Sequence, residues 1–276
     1  MFTLNCNGRL LIIDKPAVMG IINTTPDSFF AGSRKSGTDA ALEQAATMLR
    51  DGATILDIGG QSTRPGSELI SEREESDRVL PVIEAIAKAF PEAFISVDTF
   101  YAAVAQQSIA TGAAIVNDVS GGTMDDKMLE TVGALRVPYI CMHIKGTPQT
   151  MQQYAKYEDV VKDVLDYFIQ KLSECKAAGI HDVIVDPGFG FAKNSTHNFQ
   201  LLKHLPAFSI LEKLLLVGLS RKGTIQRTLN IPAAEALNGT TVLNTIALLN
   251  RAHILRLHDV KEAMEAIKLV EAYEKV

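Results

Sequence analysis

The run Asn23-Thr24-Thr25-Pro26-Asp27-Ser28-Phe29 follows directly on the apolar stretch 17–22, which sets amide, hydroxyl and carboxylate groups at the C-terminal end of a strand. That is the end at which parallel α/β proteins carry out chemistry. The pattern recurs along the chain: apolar runs of strand length close on Asp57, Asp98, Asn117, His143, Asp186, on Ser220 with Arg221 and Lys222, and on Arg256 with His258. Carboxylates above an apolar interior need partners, because an isolated buried carboxylate is costly. Asp98 and Asp186 suit the N–H groups of a flat heterocycle with an amide-like edge, such as a pterin or a guanine. Two or three such bonds, at roughly 1.5–3 kcal/mol each, suffice to select it. For either acid alone, a helix cap or an ion pair is an equal reading.

Arg64, Arg221, Lys222, Arg256 and His258 gather cations at the same end, which calls for an anionic substrate, although each alone also reads as a solvated rim residue. Ser220-Arg221-Lys222-Gly223 follows the strand 214–218 and opens a helix, so its backbone N–H groups suit a carboxylate or phosphate. It is not a Walker A loop, which needs a Gly-rich run before the Lys. No G-x-S-x-G elbow, H-E-x-x-H pair or dense His/Cys spacing occurs. The expectation is catalysis by orientation and charge stabilisation, with a hard metal such as Mg2+ sharing oxygen ligands between protein and a pyrophosphate. His143 reads either as a ligand contact or as a hydrogen-bonded structural histidine.

The elements that must position these groups alternate. Candidate strands fall at 17–22, 54–58, 94–97, 114–117, 138–142, 182–186, 214–218 and 254–257. Helical patterns occupy 39–50, 72–89, 102–110, 157–178 and 235–250 between them. Gly52, Gly112 and Gly179 stand where a helix should end and a strand begin. The phrases Gly-Ala-Thr-Ile-Leu-Asp, Gly-Ala-Ala-Ile-Val-Asn and Gly-Ile-His-Asp-Val-Ile-Val-Asp repeat one structural unit. Eight βα units of about 35 residues predict an α/β protein, a (β/α)8 TIM barrel forming a single domain over 1–276. The rival is a doubly wound open sheet, against which no G-x-G-x-x-G follows the first strand. Two connections, 23–38 and 59–71, are long for βα loops and read as lids or binding loops.

Composition bounds the partners. Lys+Arg of 27 against Asp+Glu of 32 leaves a formal charge of −5, so no global basic field draws the chain to nucleic acid or an anionic membrane. The first ten residues lack the basic flank and apolar core of a signal peptide, and no run is long and uncharged enough to span a bilayer, so a soluble, cytoplasmic protein is expected. Cys6, Cys141 and Cys175 form no CxxC pair, which argues against a disulfide framework or a zinc knuckle. Cys175 shares a helix face with Val164, Phe168 and Leu172 and reads as core.

The chain closely resembles the bacterial dihydropteroate synthases, a family of pterin-binding enzymes, over nearly its whole length. The motifs are Asn23 to Phe29, Asp57-Ile58-Gly59-Gly60-Gln61-Ser62-Thr63-Arg64-Pro65-Gly66, Ser96-Val97-Asp98-Thr99, Asn117 to Gly122, Met142-His143 with Gly146-Thr147-Pro148, Asp186 to Phe191, Gly218 to Lys222 and Arg256-Leu257-His258-Asp259. Any one is weak; all of them in family order is specific. The resemblance implies a (β/α)8 barrel that condenses 6-hydroxymethyl-7,8-dihydropterin pyrophosphate with 4-aminobenzoate to give 7,8-dihydropteroate and pyrophosphate. It implies that Asp98, Asn117, Asp186 and Lys222 bond the pterin, with Met142 and Phe191 lining its slot and Arg256 stacking on its face. Asn23, Arg256 and His258 would hold the pyrophosphate, Asn23 also as a Mg2+ ligand, and Phe29, Thr63, Arg64, Pro65 and Ser220 would form the aminobenzoate pocket. Asp98, Lys222, Arg256 and His258 would be catalytic, stabilising the pterin cation and the leaving pyrophosphate. A homodimer is expected, with the apolar stretch 240–249 as either core or dimer contact.

Two positions depart from the family pattern. Phe30-Ala31-Gly32-Ser33 stands where many relatives read Ser-Asp-Gly-Gly, and Arg251 stands where glycine is usual. The rival functions are a corrinoid methyltransferase built on the same pterin-binding barrel, which handles no pyrophosphate, and a catalytically silent pterin binder, which would lack one or more site groups.

Overall fold

Apolar runs flanked by helical stretches become strands buried on both faces, as parallel strands between a filled interior and a helical layer must be. The computed structural model describes residues 1–24, 34–62 and 68–276, with the backbone alone for 34–36. An antiparallel hairpin, β1 (Phe2–Cys6) and β2 (Arg9–Ile13), comes first. There follow β3 (Ala17–Asn23), α1 (Arg34–Asp51), β4 (Ile55–Gly59), α2 (Glu72–Ala89), β5 (Phe94–Asp98), α3 (Ala102–Thr111) and β6 (Ile115–Asp118). Next are α4 (Met128–Leu135), β7 (Tyr139–Met142), α5 (Val160–Ala177), β8 (Val183–Asp186), α6 (Ser195–Lys203) and β9 (Leu214–Val217). The chain closes with α7 (Gly223–Leu229), α8 (Leu237–Leu249), β10 (Ile254–Leu257) and α9 (Val260–Tyr273). Strands β3 to β10 pair in parallel, and β10 returns to β3 to close a barrel. This is the expected (β/α)8 TIM barrel, and the open-sheet rival is excluded by the closure.

Each expected strand is present to within a residue or so at either end. Gly52, Gly112 and Gly179 have φ of +107°, +128° and +82° at the helix-to-strand turns, the left-handed region in which a Cβ is disfavoured. The hairpin and the helices α4, α6 and α9 lie outside the expected elements, and α1 begins at 34 rather than 39.

Successive strand residues point to opposite faces, so each strand serves two layers. Outward residues such as Leu56, Val97, Val116, Val185 and Leu255 pack under the helices in the main core, where Cys175 joins Val164 and Phe168. Inward residues at the strand starts, among them Met19, Ile55, Ile115, Ile184 and Ile254, fill the barrel floor. The hairpin seals that floor with Leu4, Cys6, Leu11 and Ile13. It is fastened there by Asn5 N–H to Asp182 Oδ2 at 2.7 Å and by Arg9 donating to the carbonyls of Pro91 and Ala93 at 2.6 and 2.7 Å. All three cysteines are free and buried. Among the described residues no helix is long and apolar enough to cross a membrane.

Candidate active site

Two residues further along five of the strands, the inward side chains change character. Ile55 gives way to Asp57, Ile115 to Asn117, Ile140 to Met142, Ile184 to Asp186 and Ile254 to Arg256, each pair sharing a face because it is spaced by two. Register brings Gly59, Asp98 and Asn117 level across β4, β5 and β6. The barrel mouth is therefore polar as a direct result of strand alternation.

Arg256 organises this mouth. Its Nε donates to Asp57 Oδ2 at 2.6 Å and its Nη2 to Asp98 Oδ2 at 2.6 Å, while Asn117 Nδ2 donates to the same Asp57 oxygen at 3.0 Å. Asp57 is fully buried, and its Oδ1 has no hydrogen-bond partner. Burial pushes the Asp98 carboxyl up to about 7, against the pull of Arg256 and with Asp57, Asp118 and Asp186 adding to the rise. Three carboxylates thus face two site cations, Arg256 and Lys222, and the balance favours a ligand that brings N–H donors or positive charge.

Asp186 accepts Gly188 N–H at 2.8 Å, and burial raises its carboxyl although Lys222 acts the other way. Lys222 stands at the N-cap of α7, donates to the Phe189 carbonyl and has its ammonium 4.8 Å from the Phe191 ring centre. Burial lowers its pKa to about 8, with Asp186 opposing the fall. Met142 is buried in a small apolar cluster with Phe100 and Val119, and Phe191 packs partly against it. Carboxylates thus stand beside apolar side chains, the combination a flat polar heterocycle requires.

A second group flanks it. Ser220 Oγ lies 3.0 Å from His258 Nδ1 and accepts His258 N–H at 3.3 Å, while His258 is exposed at the rim. Asn23 is half-buried at the end of β3, level with Gly59. A cleft of about 560 Å³ between α1 and the start of α9 has His258 on its wall but none of Asp98, Asn117, Asp186 or Lys222, so it is not the heterocycle site.

The fold is shared with known proteins. Residues 19–258 match the family model described as pterin binding enzyme. The chain is 44% identical to the dihydropteroate synthase of Escherichia coli K12 over 271 residues, 98% of this chain and 95% of that one. The chain belongs to the dihydropteroate synthase family of pterin binding enzymes. Among solved structures, a Yersinia pestis dihydropteroate synthase in a sulfonamide drug complex superposes with TM-score 0.94 at 42% identity and covers 100% of both chains. The Xanthomonas albilineans dihydropteroate synthase in complex with 7,8-dihydropteroate superposes at 0.90 with 35% identity, covering 99% of each chain.

Of the residues the family resemblance singles out, Asp98, Asn117, Met142, Asp186, Phe191, Lys222 and Arg256 gather in the mouth, with Asn23, Ser220 and His258 on its rim. Phe29, Thr63, Arg64 and Pro65 lie outside the described residues, as does the departure at Phe30 to Ser33. The other departure is absorbed locally: Arg251 adopts φ of +68°, the conformation glycine takes at less cost, and its N–H still bonds Leu248 O at 2.9 Å. One expectation changes and one open reading is decided. Arg221 does not join the mouth cations, because its guanidinium is committed to Asp259 at 3.0 and 2.7 Å and to the carbonyls of Ala233 and Ala234. His143 is the structural histidine of its two readings, 1% exposed with Nδ1 2.9 Å from Lys193 Nζ.

Three residues carry weight that sequence reasoning missed. Asp57 stands in the strand-end ring, yet its part as the shared acceptor for Arg256 and Asn117 needs the closed barrel to bring β4, β6 and β10 together. Gln61 laces the base of the second long loop, accepting Ile70 N–H at 2.9 Å and donating to the carbonyls of Ser62 and Glu68. Glu75 is fully buried and accepts the Thr99 hydroxyl at 2.6 Å, next in sequence to Asp98. Its spacing was the available signal: Glu75 falls on the α2 stripe of Val79, Val82 and Ile86.

Proposed function

We propose that this chain is a transferase that condenses 6-hydroxymethyl-7,8-dihydropterin pyrophosphate with 4-aminobenzoate, giving 7,8-dihydropteroate and releasing pyrophosphate. The observation that carries this reading is the buried chain Asn117, Asp57, Arg256, Asp98, with Asp186 and Lys222 beside it, at the mouth of a barrel of this family.

Asp98 and Asp186 accept N–H groups of the pterin, and Asn117 completes that edge. Arg256 lies over the ring face while remaining tied to Asp57 and Asp98. The pterin ring nitrogens let electron density flow to the exocyclic methylene, so the C–O bond to pyrophosphate breaks as positive charge builds on the heterocycle; the aniline nitrogen then bonds to that carbon and releases its proton to solvent. Fixed carboxylates near that charge stabilise the transition state more than the ground state, which is what raises turnover. Arg256 and His258 receive the charge that leaves with pyrophosphate. Ser220, bonded to His258, stands by the aminobenzoate carboxylate, and the family resemblance assigns the rest of that pocket to Phe29, Thr63, Arg64 and Pro65, which lie outside the described residues.

Among the described residues no three His, Cys, Asp or Glu side chains cluster as a metal cage. The donor set suits Mg2+ taken up with the substrate, since Mg2+ keeps most of its water and phosphate ligands and needs few from protein. Asn23, its amide at the strand end, would be the protein ligand, and the ion would supply charge neutralisation on the leaving pyrophosphate. We further propose a homodimer in the cytoplasm, for which Val242 and Leu249, about half exposed on α8, provide apolar contact surface.

The test follows pyrophosphate release and dihydropteroate formation from the pterin pyrophosphate, with and without 4-aminobenzoate and Mg2+. The transferase reading requires both products to depend on aminobenzoate. Tight pterin binding without product would replace it with a silent binder, or with methyl transfer if a corrinoid assay then turns over.

A further inference from the structure

Lys193, in the connection from β8 to α6, is 1% exposed, although nothing in Phe191-Ala192-Lys193-Asn194 marks a buried lysine. The preceding Ala192 is itself buried and has φ of +51°, a left-handed conformation disfavoured for a residue with a Cβ. A strained alanine beside a buried ammonium is a costly local structure that something must hold in place.

The partners of that ammonium say what it holds. Lys193 Nζ lies 2.9 Å from His143 Nδ1, 3.0 Å from Phe191 O and 3.1 Å from Gly188 O, with His143 O at 3.4 Å. The carbonyls can only accept, so Nζ is the donor, shared among three carbonyls and a ring nitrogen. No carboxylate is among these partners. Burial pulls the Lys193 amine well below the usual lysine range, with Asp186 opposing the fall, and its hydrogen bonds go to neutral dipoles of one loop and to one imidazole. Burial, with Lys193 and Lys145 nearby, holds His143 well below the usual histidine range, consistent with a neutral ring that accepts at Nδ1 and carries its proton on Nε2.

The same loop forms one wall of the mouth. Phe189 O accepts from Lys222, the Phe191 ring lies 4.8 Å from the Lys222 nitrogen, and Gly188 N–H donates to Asp186 at 2.8 Å. Carbonyls 188 and 191 therefore turn to the buried lysine and carbonyl 189 to the site lysine. The loop has no slack on its other side, because a Cβ at Gly188, which has φ of +70°, would lie 2.0 Å from His143 O.

We propose that Lys193 is a positioning residue for the pterin end of the site: by drawing the Gly188 and Phe191 carbonyls and the His143 ring to one buried point, it sets where Lys222 and Asp186 meet the substrate. This rests on the transferase reading above. It assigns Lys193 no contact with either substrate, so its removal should act on the pterin side and leave the aminobenzoate side alone.

Lys193→Met removes the ammonium while keeping length and bulk. The expected result is a KM for the dihydropterin pyrophosphate raised about tenfold, the size usual for losing a group that orients site residues, with the KM for 4-aminobenzoate unchanged. A merely structural lysine would lower Tm and leave both Michaelis constants of the folded enzyme as they were, and that outcome overturns the proposal. Should the variant not fold, wild-type enzyme labelled with 15N at the lysine ammonium groups decides. The Lys193 signal must shift on adding dihydropterin pyrophosphate and not on adding 4-aminobenzoate alone; a signal unmoved by the pterin overturns the role. Wild-type turnover measured alongside keeps the two readings apart, since its absence removes the transferase reading, whereas unchanged constants in an active variant remove only the role of Lys193.

Discussion

The floor and the mouth of the barrel are made by the same strands, two residues apart, and are held together by opposite physics. At the floor, Leu4, Leu11 and Ile13 of the hairpin meet Ile55, Ile184 and Ile254, and each buried aliphatic side chain contributes roughly 1.5–3 kcal/mol irrespective of pH. At the mouth, Arg256 bridges Asp57 and Asp98 with both acids out of water, an arrangement in which attraction barely offsets desolvation. The floor stabilises without chemistry, and the mouth does chemistry at a cost in stability that the floor offsets. Substitutions at the floor should cost stability alone, whereas those at the mouth should always cost turnover.

Arg256→Met should have the largest effect, because it strikes function and the charge balance together. Turnover is expected to fall by about a hundredfold or more. Unfolding free energy should drop by about 3 kcal/mol as Asp57 and Asp98 lose their cation. Steady-state kinetics and urea titration read the two, and loss of only one would break the link between them. Leu11→Ala is the converse at the floor. It should lower stability by about 2–4 kcal/mol through the lost contacts and residual cavity, with kcat/KM unchanged below the melting temperature. A drop in kcat/KM without a drop in Tm would contradict the division.

Glu75→Gln sharpens the contrast through pH. Burial pushes the Glu75 carboxyl up to about 8, so the folded protein keeps a proton that the unfolded chain releases near pH 4.5. With more protons bound in the native state, stability must fall as pH rises between those values and level off above the upper one. The Tm of Glu75→Gln relative to wild type should therefore climb from pH 4.5 to about 8 and then stay flat. A constant difference would mean Glu75 is ionised in the fold. Lys162→Ala, at an exposed i,i+4 pair with Asp166 on α5, lies outside both ends and should change neither Tm nor turnover measurably.

The barrel was legible because its strands are buried on both faces and read as unbroken apolar runs closed by glycine or a polar residue. The hairpin was legible too, and was passed over: Asn7-Gly8 between Leu4, Cys6 and Leu11, Ile13 is a tight-turn signal flanked by alternation, and its φ values of +53° and +85° fit such a turn. Helix α4 is short, and its core face rests on Met128 and Val132, too little periodicity to register. The candidate site was legible at Asp98, Asn117, Asp186, Lys222 and Arg256 because strand ends concentrate chemistry. Lys193 and Arg221 show the limit of that rule. Both are cations near the mouth in sequence, yet one turns inward to carbonyls and the other to Asp259, and only three-dimensional partners distinguish them from substrate-binding residues.

The central claim is that the carboxylate of Asp98, at the centre of the mouth charges, carries the transfer reaction and not the fold. Asp98→Asn keeps the shape and one acceptor for Arg256 while removing the carboxylate, so turnover and Tm measured on the same preparation test it directly. The account predicts dihydropteroate formation reduced by about a hundredfold or more with Tm unchanged or slightly raised. Near-normal turnover at the same Tm would contradict it.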